Sequence, residues 1–399
     1  MKPIANLIAA SLFVTGQTAF AATLNVPAGA NAQERLQTAL LDAKPGDVVE
    51  IGAGRFDLTE GLSLDISGVT VRGAGPKETV LSFKGQKTAG EGLLVTSNDV
   101  LLRDFAVEDS RGDGIKSKGS SRITFYDLRV EWTGGPKSTN GAYGVYPVSS
   151  TDVLIDKVTV TGASDAGIYV GQSKNIIVRN SFALYNVAGI EIENCYNADV
   201  YSNVAVHNTG GVLVFDLPNL PQQAGHDIRV FSNRIERNDT PNFAPKGNIV
   251  ASVPTGTGVI VMANRNVHVF ANAIGENGST NIFIVGYRNS FTDATYQPLA
   301  RDIIIRDNIH GRAGFAPGPQ FDGGKELVAA MGSVPAIVWD GTGQNIRIMD
   351  TVPAMTLGLT DPKLRSTATN PRVADFSGGT DVAMPAAIVL PASMEAAIR

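Results

Sequence analysis

A short polar residue, most often asparagine or aspartate, recurs at one point of a repeating apolar pattern, in segments that otherwise share little. In register, LLRDF (101–105), FYDL (125–128), VLIDK (153–157), IIVRN (176–180), DVYSN (199–203), RVFSN (229–233), HVFAN (268–272) and IIRDN (304–308) align Asp104, Asp127, Lys157, Asn180, Asn203, Asn233, Asn272 and Asn308. The steps are 23, 30, 23, 23, 30, 39 and 36 residues. A period near 23 that tolerates insertions is the mark of a solenoid, in which each repeat is one turn that buries its apolar face only by stacking on the next.

A second signal runs beside the first. One strand per turn opens on glycine: Gly114-IKSK, Gly144-VYPV, Gly167-IYVG, Gly189-IEIE, Gly211-VLVF and Gly258-VIVM. Between these come further short alternating strands, three to a period, separated by Gly, Asn, Asp and Ser. Stacked in parallel about 4.8 Å apart, the glycine-led strands send Ile115, Val145, Ile168, Ile190, Val212 and Val259 inward as one column. The asparagine column then reads as structural, because an amide at each bend can bond the backbone of the neighbouring turn. Asn186, Asn208, Asn238 and Asn277 form a second such column. Cys195 shares a register with Ser120, Ser150 and Ser173 and reads as a small packed turn residue.

The fold class expected is therefore all-β, a parallel β-helix solenoid. Asn31-Ala-Gln-Glu34 looks like an N-cap with a carboxylate three residues on, and Leu36, Ala39, Leu40 and Ala43 follow at helical spacing. That predicts a short N-terminal capping helix over the open end of the sheets. With 399 residues, 43% of them hydrophobic and 18% charged, the chain buries a long core and is neither disordered nor membrane-embedded. A net charge of −5 with scattered basic residues excludes a nucleic-acid footprint. Lys2, the apolar Ile4–Val14 and Ala19-Phe20-Ala21 have the layout of a secretory signal cleaved after Ala21. No later run of 18 apolar residues follows, so no membrane span is indicated, and the mature protein is expected to be a periplasmic or secreted monomer. A single cysteine allows no intramolecular disulfide. The domain reading is signal 1–21, β-helix 22–322, and a C-terminal cap and tail 323–399.

Function tends to sit where loops bulge from a rigid scaffold. Long connections precede Gly144 (Thr133–Tyr143) and Gly258 (Asp239–Thr257), Leu217–Gly225 is a third insertion, and the turns between are tight. Two walls with a low floor between them predict a cleft. Its floor should be the outward residues of the glycine-led strands: Lys116, Tyr146, Tyr169, Glu191, Leu213, Ile260 and Phe283 in one column, and Lys118, Val148, Gly171, Glu193, Phe215, Met262 and Val285 in the next. Asp165 and Asp216 lie at strand ends beside them. Aromatic rings match the C–H faces of sugars, and carboxylates bind hydroxyls or a metal. Glu191 and Glu193, roughly 6.6–6.8 Å apart at strand rise, suit an acid and base pair. Tyr146, Tyr169 and Lys116 are candidate bases for proton abstraction. Glu193 and Asp216 are the candidate ligands for calcium. Of the four histidines none has a zinc-binding spacing. His207, beside the second asparagine column, is the catalytic candidate among them. Lys116, Asp165, Phe215, Asp216 and His226 are the candidate substrate contacts. The apolar Leu213, Phe215, Ile260, Met262 and Phe283 suggest either a protein partner or covering by the Asp239–Thr257 loop.

Two stretches carry a family resemblance. LQTALLDAKPGDVVEIGAGRFDL looks like the N-terminal cap of pectate-lyase-like right-handed β-helix proteins, and residues 189–272 resemble a group of exported proteins built from tandem parallel β-helix repeats. The resemblance implies a right-handed helix and a polysaccharide partner, with β-elimination or C5 epimerisation if the protein is catalytic. Specific motifs do not carry over: the Asp-Pro-His-Asp of the epimerases and the Asn-Thr-Asp, Asp-Asp and Gly-His-Gly set of the polygalacturonases are not found. A non-catalytic scaffold that binds glycan or protein is the competing expectation.

Overall fold

The computed structural model describes residues 21–88, 90–361 and 370–399. The expected signal segment, residues 1–21, lies outside that range up to its last residue, Ala21.

One turn of the solenoid shows why the rest repeats. The strand Ala166–Gly171 bends into Lys174–Arg179, which bends into Phe182–Leu184, and the chain then enters the next turn at Ala188–Glu193. Each strand pairs in parallel with its equivalent one turn on: Ile168 with Ile190, Ile176 with Ala198, Ala183 with Ala205. Alternate side chains point inward, so Ile168, Val170, Ile176, Val178 and Ala183 are fully buried in one continuous core. The strands form a twelve-stranded sheet from the glycine-led segments and a twenty-stranded sheet from the other two sets. Among the described residues every pairing between strands is parallel except that of Met355 and Thr356 with Val373 and Arg372.

Glycine opens the strand because the next turn arrives there. A Cβ at Gly189 would lie 2.5 Å from the Gly211 carbonyl oxygen and 2.9 Å from Asn208 Nδ2. The asparagine columns are hydrogen-bonded ladders. Asn203, Asn233, Asn272 and Asn308 each accept at Oδ1 from the backbone N–H one turn earlier, at 3.0 Å throughout. Asn186, Asn208, Asn238 and Asn277 do the same at 2.9–3.2 Å.

The first column needs a correction. Asn180 is not a rung of the ladder; Ser181 is, since its N–H reaches Asn203 Oδ1 and Phe182 pairs with Val204. Asn180 instead shares the left-handed bend position with Asp104, Asp127, Lys157, Ser202, Ser232, Ala271 and Asp307, all at φ 47–62°. Bend and rung are adjacent and both favour short polar side chains, so composition alone does not tell a step of 22 residues from one of 23.

The helix α1 (Ala32–Asp42) forms where the apolar spacing predicts it and buries Leu36 and Leu40 in the same core. Asn31 does not cap it. Its φ is 57° and its side chain makes no cap bond, because the extended backbone that aims a capping side chain is absent. At the other end, stacking continues past residue 322: Ile337–Trp339 and Gln344–Ile348 extend the two sheets over Ile282–Ile284 and Arg301–Ile305. The last residues then run back along the twenty-stranded sheet. Asp381 meets Arg347 at 2.6 Å, the Ile388 N–H donates to Asp199, and Glu395 grips the Arg179 guanidinium at 2.9 and 2.8 Å. Leu390, Met394 and Ile398 seat on Leu101, Leu154 and Ile177. This strap crosses from the last turns to early ones.

Candidate functional site

The outward columns of the twelve-stranded sheet fall as the alternation predicts. Lys116 pairs with Tyr146, and one turn further on Tyr169 pairs with Glu191, Glu191 with Leu213, Leu213 with Ile260 and Ile260 with Phe283. Gly171, Glu193, Phe215, Met262 and Val285 form the column beside it. Tyr146, Tyr169, Glu191 and Glu193 are thus brought together, with Asp165 and Asp216 at the strand ends.

They do not lie open to solvent. The expectation of a bare cleft floor fails, since Tyr169, Glu191, Glu193, Phe215 and Asp216 are each at most 6% exposed. One insertion that the spacing marks as a wall folds over the floor instead. In the Asp239–Thr257 loop Val250 and Val253 are buried against Leu213 and Ile260, and a second insertion brings Tyr287 and Tyr296 onto the same cluster. The apolar patch is therefore covered from within the chain. A cavity of about 200 Å³ remains beside it, lined by Phe215, Ile260, Met262, Phe283, Arg288 and Gln320 among others.

Burial sets the electrostatics. Glu193 accepts from the Tyr169 hydroxyl at 2.6 Å. Desolvation nonetheless pushes its carboxyl up to about 7, with Asp165 and Asp216 adding to the shift. Asp165 is raised to about 7 by burial, against the opposing effect of an Asn248 amide that donates to it at 2.8 Å. Glu191 is pushed far above the carboxylate range by burial and then by the charges of Asp165 and Glu193; neither of its oxygens has a hydrogen-bond partner. Asp216 is raised to about 6 by burial although the Gly225 and Ala224 N–H groups donate to it. Tyr143 is in ring contact with Tyr146 and Tyr169, at centroid distances of 4.5 and 4.3 Å. Burial raises the hydroxyl pKa of all three tyrosines.

Three expected members stand apart. Lys116 lies on the column's early turns and holds Glu91 at 2.9 Å and Asp113 at 3.3 Å, with its ammonium 4.7 Å from the Tyr146 ring centroid. His207 sits in a bend between strands, stacked on Tyr185 and bonded to Asp239. His226 follows Gly225 but turns its ring to Tyr196 and Asp227 on the twenty-stranded sheet. Neither histidine joins the carboxyl cluster, because the bends carry them around the solenoid to other faces. The spacing also missed Asn248, Tyr143 and Tyr296. An insertion's length is legible, but the turn it folds back onto is not. Among the described residues no three His, Cys, Asp or Glu side chains group so as to hold a metal ion. Glu193 and Asp216, the candidate calcium ligands, already accept from Tyr169 and from Gly225 and Ala224.

A family model described as right handed beta helix region matches residues 65–220. Among solved structures the chain is similar to the A-module of mannuronan C-5 epimerase AlgE4 from Azotobacter vinelandii, at 17% identity over 82% of this chain and 86% of that one, with a TM-score of 0.59. It is also similar to the AlgE6 A-module of the same organism, at 13% identity over 79% and 87%, with a TM-score of 0.51. Curated proteins gave no match. The fold is that of a right-handed parallel β-helix. At these identities the likeness speaks for the fold, and activity has to be argued from the site.

Proposed function

We propose that this protein binds a polysaccharide across its twelve-stranded sheet, over the turns that carry Tyr143, Tyr146, Tyr169, Glu191 and Glu193. The observation that carries the reading is the tyrosine and carboxyl cluster itself. Further along the same column the outward residues are the apolar Leu213, Ile260 and Phe283; on these turns of the column ring faces and acids meet. Tyr143 and Tyr146 are partly buried at its rim, where ring faces can take a sugar. Polysaccharide is also the class that AlgE4, a mannuronan epimerase by its description, acts upon.

Two forms of this reading differ in chemistry. In the catalytic form, the Tyr169–Glu193 pair passes a proton to or from the sugar, as β-elimination or C5 epimerisation requires, and a carboxyl near 7 suits that task. In the binding form no bond changes. Charge favours the binding form: a uronate carboxylate would sit beside Asp165, Glu191 and Glu193, and the lysine of the column is committed to Glu91 and Asp113. Calcium at Glu193 and Asp216 would have to share carboxylates that already accept from Tyr169 and from the Gly225 N–H.

Affinity electrophoresis of the mature protein through gels holding neutral, acidic and cationic polysaccharides tests the binding. Retardation that disappears in Tyr146→Ala is expected, and passage unaffected by every polymer would sink it. Ultraviolet absorbance at the unsaturated-uronate band, with calcium and with chelator, decides whether elimination occurs. Export to the periplasm or medium and a monomeric state belong to the same proposal and are read by cell fractionation and size-exclusion chromatography.

A further inference from the structure

We infer that the site takes a positively charged group, so that the glycan it binds is built from amino sugars with free, protonated amines. This rests on the glycan reading above and names the chemistry of its ligand.

The inference starts from Glu191. Its side chain is 1% exposed and neither carboxyl oxygen has a partner. A buried acid without a donor is a standing cost, which folded proteins rarely keep unless something else supplies the donors. The groups around it come from several elements. Asp165 and Tyr169 belong to the preceding turn, Tyr143 to the turn before that, and Glu193 to its own strand. Behind these, Tyr146 and Asp216 bear on Glu193, and Asn248 of the covering loop bonds Asp165. The charges that bear on Glu191 most are those of Asp165 and Glu193, both acids. Lys116, the ammonium of the column, is held by Glu91 and Asp113.

A cluster of this kind wants donors and positive charge together. A primary ammonium offers three N–H donors, balances ionised carboxylates, and is attracted to aromatic faces, here those of Tyr143 and Tyr169, since the Tyr146 ring already has the Lys116 ammonium 4.7 Å from its centroid. A uronate would add a further acid beside Asp165, Glu191 and Glu193. An N-acetylated sugar brings one donor and no charge. A hard divalent ion asks for six or more oxygens, whereas no metal-holding group of three acids occurs among the described residues. Entry needs the covering loop to lift, which breaks the Asn248 to Asp165 hydrogen bond. Binding an ammonium also ionises the carboxyls, so affinity should rise as pH climbs from about 5 toward about 7.

Isothermal titration of the mature protein with glucosamine hexamer, N-acetylglucosamine hexamer and mannuronate hexamer, and with calcium chloride alone, tests this. The expected result is binding of the glucosamine oligomer at least about tenfold tighter than of the other two. Glu191→Gln and Glu193→Gln should each lose it while keeping the far-ultraviolet circular dichroism and melting temperature of a folded protein. Equal or tighter binding of the acetylated or mannuronate oligomer, or of calcium, overturns the inference and leaves the glycan reading standing. Retention of affinity in folded Glu191→Gln overturns it as well. Failure of every oligomer and every gel polymer to bind overturns both.

Discussion

Replacing Asn233 by alanine should destabilise the protein by several kcal/mol, although the residue is far from the candidate site's carboxyls in the turn. Asn233 is 3% exposed. Its Nδ2 donates to the Val200 carbonyl at 2.8 Å and to Asn272 Oδ1 at 3.0 Å, and its Oδ1 accepts from the Asn203 N–H and Asn203 Nδ2, both at 3.0 Å. Alanine removes all four. Asn272 Oδ1 keeps the Asn233 backbone N–H, and Asn203 Nδ2 keeps the Val178 carbonyl. The Asn203 N–H loses its acceptor and the Val200 carbonyl loses its side-chain donor. At about 1–3 kcal/mol for each buried group left unsatisfied, the loss is about 2–6 kcal/mol. In a solenoid the cost falls on the interfaces between neighbouring turns, so hydrogen exchange should quicken first around Asn203 and Asn272. Urea unfolding followed by circular dichroism measures the total. The control is Asn180→Gly at the exposed bend, where φ is 52° and a single bond to Asp156 is lost. Glycine accepts that backbone, and the change should stay within about 1 kcal/mol. Asn233→Ala inside the same limit, or Asn180→Gly costing as much as Asn233→Ala, would refute the ladder argument.

Further outcomes follow from burial and charge. Asp165 and Glu193, at about 7 in the folded chain, hold protons that the unfolded chain releases near 4, so their contribution to stability falls as pH rises from about 4 to about 7. His268, buried without a partner and lowered to about 4, acts in the opposite sense, its contribution rising between about 4 and about 6.5. The difference in melting temperature between wild type and Glu193→Gln isolates the carboxyl: the variant should gain on wild type from pH 5 to pH 8, and parallel profiles would count against a raised Glu193. Met394→Ala should loosen the C-terminal strap at a cost of up to about 2–5 kcal/mol, seen as proteolysis after residue 376 while the solenoid stays intact; a variant as resistant as wild type would contradict that anchoring. Cys195 is fully buried with its thiol pushed up by desolvation, so a thiol reagent should label it only on unfolding.

Much of the architecture was legible from order along the chain. A period near 23, glycine at the head of one strand per turn and alternation within each strand decide which side chains face inward, and they placed Tyr146, Tyr169, Glu191 and Glu193 on one face in the right columns. The slip at Asn180 shows the limit of that reading: bend and rung differ by one residue and have similar composition, and only the hydrogen bonds separate them. The Asn31 cap failed for a related reason, since a capping pattern names the residues and not the backbone angle that aims them.

What an insertion does lies beyond a periodic pattern. The length of Asp239–Thr257 marks it as a loop, and a loop of that length can stand as a wall or lie down as a lid. Packing decided the matter: Val250, Val253 and Tyr296 bury apolar surface on Leu213, Phe215 and Ile260, and the floor they cover becomes a low-dielectric site in which acids hold their protons. The C-terminal strap is a second case, its anchors seated on turns some two hundred residues or more away in sequence. Local spacing determined the solenoid and its columns because each turn answers only to its neighbours; burial, charge and the closing of the face depended on contacts between distant turns, which exist only once the chain has folded.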